Sequence, residues 1–369
     1  MNIYQIIPHF GLKRQYAKLK EELLDASDLA LSSGQLVDGP FVYEFEAWLR
    51  NRTGCKYAVT VHSGTQALEI LAKCEVHNFS DLFHVSPTVL LPNLTYVATL
   101  NAFLTSGYKV ELADTDQNGL MIRTKETHTT EPFYYYCNVG LYGAPPNDLQ
   151  DHEAYNSGRD NYFIDGAQHW LIERASNIGI GMAISFDPTK NLPSSGNGGA
   201  IVTDDGDVYS FACAYKNNGN KFNNTIVGTN SKMSEQDCAQ ILVRTKHLDY
   251  WQRRRKKIRE YYISRLKDLP IRLLSKDFET HADQKFVIYT EHRDDLLQFL
   301  GEVGIECKIH YAKTLSQLPI TAAMKKPDFL SVSVMLTRGL LSLPIYPELT
   351  DVEVELIASK VCEFFAKTT

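Results

Sequence analysis

The feature that most constrains the fold of this chain is an alternation of short apolar segments with helical patterns in its N-terminal half. "YAVTV" leads through a polar turn into the helical pattern "GTQALEILAKC", and "TVLLP" leads in the same way into "YVATLNAFLTSG". Further strand patterns follow in "YKVELADTD", "EPFYYYCNVGLYG" and "YFIDGAQHW". Strands separated by helices of this length predict an α/β fold with a mainly parallel sheet and crossover helices.

The pattern changes after residue 232. A long helical stretch is predicted over 234–269, and beyond Pro270 the strand patterns "KFVIYT" and "CKIHY" alternate with two more helical patterns. This second part predicts a smaller α+β unit. We therefore predict two domains, residues 1–250 and 251–369, and we allow the N-terminal helix to pack on the smaller one.

Composition excludes several classes of function. The net charge is −6 at pH 7, so the chain as a whole does not favour nucleic acid or an anionic membrane. The basic cluster 253–257 admits a nucleic-acid reading, but a solvated helix face is the preferred interpretation. No apolar run reaches the ~18 residues of a membrane helix, and the start lacks the order of a secretory signal. Seven scattered cysteines without a CxxC pair indicate neither a disulfide framework nor a zinc site, so the chain is expected to be cytoplasmic and metal-free.

Two polar residues stand where predicted strands end. Asp165 closes the strand "YFID", and Lys190 follows the strand "AISF" in "SFDPTKNLPSSGNGGAIVTDD". Because the carboxyl ends of parallel strands meet at one edge of a sheet, where ligands bind, the two side chains are expected to lie together. An amine and a carboxylate in one site are what pyridoxal phosphate requires, but the pair alone is weak evidence, since most lysines lie on the surface.

A phosphate group would also need donors. "HSGTQALEI" offers Gly64 and Thr65 at a helix N-terminus, and Ser185 offers a further hydroxyl. Tyr96 could stack on a pyridine ring. A capped helix without a ligand and a core tyrosine are the alternative readings of these residues.

Taken in order, these motifs resemble the DegT/DnrJ/EryC1/StrS family of pyridoxal-phosphate sugar aminotransferases. The likeness rests on "HSGTQALEI", "LPNLTYVATLNAF", "FIDGAQHW", "SFDPTKNLPSSGNGGAIVTDD" and "GTNSKMSEQDCAQI", and it extends from "SSGQLVDGPFVYEFE" to "LSLPIYPELTDVEVELI". It implies the aspartate-aminotransferase fold (fold type I), with a mixed, mainly parallel seven-stranded sheet between helices and a smaller α+β C-terminal domain.

The resemblance assigns roles around the cofactor ring. Lys190 would form the Schiff base with pyridoxal 5'-phosphate, and Asp165 would hold the proton of the pyridine nitrogen. Gln168 matches the D-x-A-Q pattern and would face the ring near its phenolic oxygen. Tyr96 would occupy the stacking position.

The resemblance also assigns the phosphate contacts. Gly64, Thr65 and Ser185 would hold the phosphate within the same subunit. Asn230 in "GTNSKM" matches an N-x-R-M element that reaches the phosphate of the other subunit's cofactor. This implies a homodimer with shared active sites. From the residues alone, the preferred interpretation is that Asn230 caps the helix that begins near Ser234.

His310 and Tyr311 in "KIHY" match the family's H-Y segment near the substrate. The sequence departs from the family's pattern at three positions: Lys232 stands for the usual arginine, Ala312 for the usual proline, and Trp170 for a small residue, where it is expected to narrow the pocket.

The implied activity is amino transfer from glutamate to a nucleotide-linked keto-6-deoxyhexose, with pyridoxamine phosphate as the intermediate form of the cofactor. The C4 ketone of a dTDP- or UDP-4-keto-6-deoxyglucose is preferred over a C3 ketone. A dehydratase of this fold would carry histidine in place of Lys190. A non-catalytic binding or regulatory protein would be expected to have lost Lys190, Asp165 or Gln168, and all three are present.

Overall fold

A computed structural model of the chain describes residues 6–83, 86–123, 133–147, 161–172, 178–220, 223–274, 280–324 and 329–368. The helices are α1 (Leu12–Ser32), α2 (Pro40–Thr53), α3 (Gly64–Phe83), α4 (Val97–Thr105), α5 (Gly206–Tyr215), α6 (Glu235–Thr245), α7 (Leu248–Leu266), α8 (Arg293–Glu302), α9 (Ser331–Gly339) and α10 (Asp351–Thr368). The strands are β1 (Tyr57–Val61), β2 (Thr88–Pro92), β3 (Lys109–Ala113), β4 (Tyr134–Val139), β5 (Tyr162–Asp165), β6 (Gly181–Ser185), β7 (Gly199–Thr203), β8 (Arg272–Leu273), β9 (Phe286–Tyr289) and β10 (Leu340–Leu343).

The larger sheet has seven strands in the order β1-β7-β6-β5-β4-β2-β3. Neighbours from β6 to β3 pair in parallel, whereas β7 is antiparallel to both β1 and β6. The predicted α/β class with a mixed, mainly parallel seven-stranded sheet is confirmed. The parallel strands place their carboxyl ends at one edge, which positions the loops described below.

Apolar side chains cover both faces of this sheet. One core joins α3, α4 and α5 to the sheet and contains the fully buried Leu71 and Phe103. The other core joins α1, α2 and α6 to the opposite face and contains Phe45 and Leu49. Because the strands are buried on both sides, they read as continuous apolar runs in the sequence.

A smaller antiparallel sheet, β10-β9-β8, packs with α7, α8 and α10 around its own core. We propose that this unit is the predicted second domain, with a boundary near residue 250. The N-terminal helix contacts both parts: α1 packs on α6, and Arg14 forms an ion pair of 2.6 Å with Glu353 of α10.

The predicted long helix over 234–269 is wrong in one respect, because two helices occupy this range. The chain turns at Lys246 and His247, whose amides donate to carbonyls three residues back, and α7 then leaves α6 to pack on α10. The basic cluster is not a uniformly solvated face either. Arg255 is buried and donates to the carbonyls of Asp283 and Ile345, while Arg254 pairs with Asp351.

"CKIHY" was predicted as a strand and is irregular. Its only pairing of strand type is a single bridge between Lys308 and Ser342. The strands that pair with β9 are β8 and β10, the latter from the segment "LLSL". The irregular path carries His310 and Tyr311 toward the carboxyl edge of the larger sheet.

Candidate active site

A cavity of about 450 Å³ lies at the carboxyl edge of the larger sheet. It is bounded by the loops after β1, β2, β5 and β6, and by the segments that precede β9 and follow α8. Nine of the ten residues predicted for the site line it: Gly64, Thr65, Tyr96, Asp165, Gln168, Ser185, Lys190, His310 and Tyr311.

Lys190 reaches the cavity from a tight turn after β6. Its amide donates to the carbonyl of Asp187 at 2.9 Å, and the Asp187 carboxylate accepts from the Thr189 amide at 2.9 Å. These bonds hold the lysine at the sheet edge. Burial lowers the pKa of Lys190 from its ordinary value, against the opposing charges of Asp165 and Asp187. A larger fraction of this amine is therefore neutral than for a surface lysine.

Asp165 is the last residue of β5, and its two carboxylate oxygens have separate partners. Oδ2 accepts from the Thr99 hydroxyl at 2.8 Å, and Oδ1 accepts from the Ala167 amide at 3.1 Å. The Thr99 hydroxyl lies 3.2 Å from that of Thr95. The carboxylate is thus held from the α4 side, with its charge facing the cavity that contains Lys190.

The turn from β1 into α3 packs closely against β6. A Cβ on Gly64 would lie 2.7 Å from the Ser185 Cβ, so only glycine fits at the start of α3 without displacing that strand. Gly199 is constrained in the same way, since its Cβ would lie 2.3 Å from the Ser63 carbonyl carbon. The close approach brings the helix N-terminus, the Thr65 hydroxyl and the Ser185 hydroxyl to one end of the cavity, an arrangement suited to an anion.

Gln168 is buried and oriented by two bonds. Its Oε1 accepts from the Tyr142 amide at 2.8 Å, and its Nε2 donates to the Tyr311 hydroxyl at 3.4 Å. Burial raises the pKa of the Tyr311 phenol well above its ordinary value, so this hydroxyl stays protonated. The Tyr142 hydroxyl donates to the His310 carbonyl and links this network to the far wall.

His310 and Tyr311 form part of the wall opposite the sheet edge. The His310 Nδ1 lies 2.9 Å from the Ser342 hydroxyl, and burial with the nearby Lys285 lowers the pKa of His310 to about 2. Its imidazole is therefore neutral at physiological pH. Tyr96 is exposed at the mouth of the cavity, with its ring centroid 5.8 Å from that of Tyr311.

Asn230 is the predicted residue that does not line the cavity. It is exposed on the adjoining surface, where its backbone forms a bridge with Asn217. The reading of Asn230 as a helix cap is wrong, because α6 is capped by Ser234, whose hydroxyl accepts from the Asp237 amide. Nearby, Lys232 donates to the Asn217 side chain at 3.0 Å and lies 3.6 Å from Asp38.

The expectation that Trp170 narrows the pocket is wrong. Trp170 is buried in the core, where its indole packs edge-on against Trp48 and Phe186, and it is not a cavity residue. Ala312, the third departure, is exposed. Sequence reasoning also missed Thr99, the partner of Asp165, and Lys285, a buried lysine in the cavity. Thr99 lies on α4 and Lys285 precedes β9. Neither stands at the end of a strand, and strand ends were the feature from which the other site residues were predicted.

These residues fit pyridoxal phosphate. An amine with a lowered pKa and a carboxylate face one cavity, and a helix N-terminus with two hydroxyls lies beside them. The absence of a Cβ at Gly64 lets the start of α3 pack against Ser185, which brings the helix N-terminus and the Ser185 hydroxyl together as a phosphate requires. Among the described residues, no group of three or more His, Cys, Asp or Glu side chains could hold a metal ion, and no helix has the length and apolar character needed to cross a membrane.

Comparison with known proteins agrees with this geometry. The model of the DegT/DnrJ/EryC1/StrS aminotransferase family matches residues 17–362. The family depends on pyridoxal phosphate, so the predictions of the family and of its cofactor are confirmed.

Two relatives and one solved structure are similar over nearly the whole chain. A pleiotropic regulatory protein of Geobacillus stearothermophilus is 26% identical over 97% of this chain and 98% of its own length. The dTDP-3-amino-3,4,6-trideoxy-alpha-D-glucose transaminase of Streptomyces venezuelae is 29% identical over 93% of this chain and 92% of its own. The crystal structure of S. venezuelae DesV superposes with a TM-score of 0.88 at 28% identity, covering 97% of this chain and 98% of that one.

Proposed function

The chain belongs to the DegT/DnrJ/EryC1/StrS aminotransferase family, and on this premise we propose that it transfers an amino group from glutamate to the ketone of a nucleotide-linked deoxysugar. The observation that carries the proposal is the pair Lys190 and Asp165 in one cavity, beside the helix N-terminus at Gly64. The enzyme class, a pyridoxal-phosphate-dependent nucleotide-sugar aminotransferase, follows from the family.

When bound, pyridoxal phosphate supplies an electron sink for the carbon that carries the reacting amine. Asp165, held by Thr99 and the Ala167 amide, would keep the proton on the pyridine nitrogen. Lys190 moves the proton at the reacting carbon, a task favoured by its lowered pKa. Thr65 and Ser185 would hold the phosphate, and Gln168, fixed by the Tyr142 amide, would contact the ring.

We propose the C3 ketone as the position of amination. The support is the S. venezuelae relative, which is named as the transaminase of a dTDP-linked 3-amino sugar. The C4 ketone of a dTDP- or UDP-4-keto-6-deoxyhexose, which the sequence favoured, is the alternative.

We also propose a homodimer in which Asn230 completes the phosphate site of the partner subunit. Asn230 is exposed and lies outside its own cavity, while its backbone neighbour Ser231 accepts from the amide of His62, just before the Gly64 turn. An exposed amide side chain at the rim is available to a second copy of the chain.

The test is incubation of the cofactor-loaded protein with glutamate and a panel of dTDP- and UDP-linked 3-keto and 4-keto deoxysugars. We expect 2-oxoglutarate and an amino sugar in equal amounts, with nitrogen at C3 in the NMR spectrum of the product. An amine at C4 would refute the proposed position. Glutamate that remains unconverted, or intersecting instead of parallel double-reciprocal lines, would count against amino transfer by alternating half-reactions.

A regulatory role is the second candidate, favoured by the name of the Geobacillus relative. It predicts that the protein binds pyridoxal phosphate without converting glutamate. The presence of Lys190, Asp165 and Gln168 in one cavity favours the enzyme, because a protein that only binds the cofactor has no need for all three.

A further inference from the structure

Lys285 is a second lysine in the cavity. It lies immediately before β9 with 7% of its surface exposed, and its Nζ donates to the side chain of Gln284 at 2.6 Å. Gln284 in turn donates to the Thr189 carbonyl at 3.0 Å, which fixes this segment above the turn that carries Lys190. No carboxylate of the described residues forms a salt bridge with Lys285.

The charges of the cavity are divided between its two sides. The carboxylates Asp165 and Asp187 lie on the sheet side, where both are engaged by hydroxyl and amide donors. The opposite wall contains Lys285 and His310. His9 lies behind them, with its ring centroid 5.7 Å from that of His310. This wall therefore presents nitrogen groups and, among the cavity residues that the structure describes, no acid.

Burying an ammonium group without an anionic partner is costly. Burial, together with the charges of Lys190 and Arg255, lowers the pKa of Lys285 well below its ordinary value, although Asp187 opposes the shift. An anion that binds beside Lys285 would favour the protonated form of its amine. The charge-assisted hydrogen bond between the two would offset the cost of burying the ammonium group. The wall is therefore suited to an anion that arrives with a substrate.

We propose that Lys285 binds a carboxylate group of a substrate. The inference rests on the proposed amino transfer, since an amino-acid donor carries a carboxylate on the same carbon as the amine that replaces Lys190. The carbon of that carboxylate lies two bonds from the reacting nitrogen. Lys285 and Lys190 line the same cavity, and Gln284 beside Lys285 donates to the carbonyl of Thr189 beside Lys190. A carboxylate on the sugar is the other source of the same chemistry.

The test compares Lys285→Met with Lys308→Met, which removes an exposed lysine two residues before His310. Succinate is first titrated into the cofactor-loaded proteins by calorimetry. Loss of a charge-assisted bond predicts binding roughly 10- to 100-fold weaker in Lys285→Met and unchanged in Lys308→Met. Lys285→Gln, which keeps a polar group of similar length, is measured in parallel in case the methionine variant does not fold, as judged by circular dichroism.

The two half-reactions then identify the source of the carboxylate. A rise in the glutamate concentration for half-maximal rate assigns it to the donor, and a rise confined to a 3-keto uronic-acid sugar assigns it to the acceptor. Succinate binding and half-saturation values equal to wild type in both Lys285 variants would overturn the inference. If the wild type failed to convert glutamate, the proposed function would fall, while the succinate titration would still decide whether Lys285 binds carboxylates.

Discussion

The Thr99 hydroxyl is predicted to support catalysis through Asp165. It donates to Asp165 Oδ2 at 2.8 Å, and the other oxygen of that carboxylate is held by the Ala167 amide. Thr99→Val preserves the shape of this fully buried side chain and removes the donor. Asp165 then loses the bond that fixes its orientation toward the cavity.

The size of the effect follows from the charge on the acceptor. A hydrogen bond to a charged group contributes about 1.5–3 kcal/mol, and about 1.4 kcal/mol corresponds to a factor of ten in rate. If about half of this energy is expressed at the transition state, the glutamate half-reaction slows roughly 3- to 10-fold. Thr99→Ser keeps the hydroxyl and should restore most of the rate.

Stopped-flow absorbance of the bound cofactor after mixing with glutamate measures this rate directly. Thr95→Val serves as a matched control, since the Thr95 hydroxyl contacts that of Thr99 at 3.2 Å and does not contact Asp165. We expect Thr95→Val to be affected less than Thr99→Val. A Thr99→Val enzyme that keeps its cofactor and reacts within twofold of wild type would refute the reasoning.

Three further predictions concern the site and its surroundings. Asp165→Asn should retain cofactor on dialysis yet lose amino transfer by at least about 100-fold, because the pyridine nitrogen loses its proton partner; a loss below tenfold in steady-state assays would contradict this. Inactive Asn230→Ala and Lys190→Ala proteins, mixed so that they exchange subunits, should recover at most about a quarter of wild-type activity. Half of the dimers are then hybrids, and one of the two sites in each hybrid is complete. No recovery despite exchange would argue against shared sites. Burial lowers the pKa of His169 to about 4. Its imidazole is therefore protonated below about pH 6.5 in the unfolded chain but only below about pH 4 in the folded chain. His169 should therefore contribute nothing to the pH dependence above about pH 6.5 and roughly 1–2 kcal/mol of the loss of stability on going to about pH 5. Urea unfolding of His169→Asn should show a loss smaller by that amount, while other histidines with a lowered pKa, such as His310, keep their share; an unchanged pH slope in the variant would disprove the assignment.

The main features of the site could be predicted because they depend on strand ends. Asp165 ends one strand of a mainly parallel sheet and Lys190 follows the neighbouring strand, and the topology alone brings such positions to one edge. Gly64 was recognisable from its place between a strand and a helix. The roles of all these residues in catalysis remain predictions.

The features that could not be predicted depend on contacts between distant segments. The bond from Thr99 to Asp165 joins residues 66 positions apart, and Lys285 precedes a strand of the smaller sheet. Trp170 was misjudged because the sequence does not reveal the aromatic core formed with Trp48 and Phe186. The turn between α6 and α7 contains neither proline nor glycine, so local sequence gave no signal for it.

The central claim is that Lys190 is the lysine that carries the cofactor, and the cavity offers a direct competitor in Lys285. Borohydride reduction of the pyridoxal-phosphate-loaded protein, followed by peptide mass mapping, decides between them. We predict the reduced cofactor on the peptide containing Lys190, and no labelling when glutamate is added before the borohydride. A label on Lys285, or a label on Lys190 that glutamate does not prevent, would contradict the account.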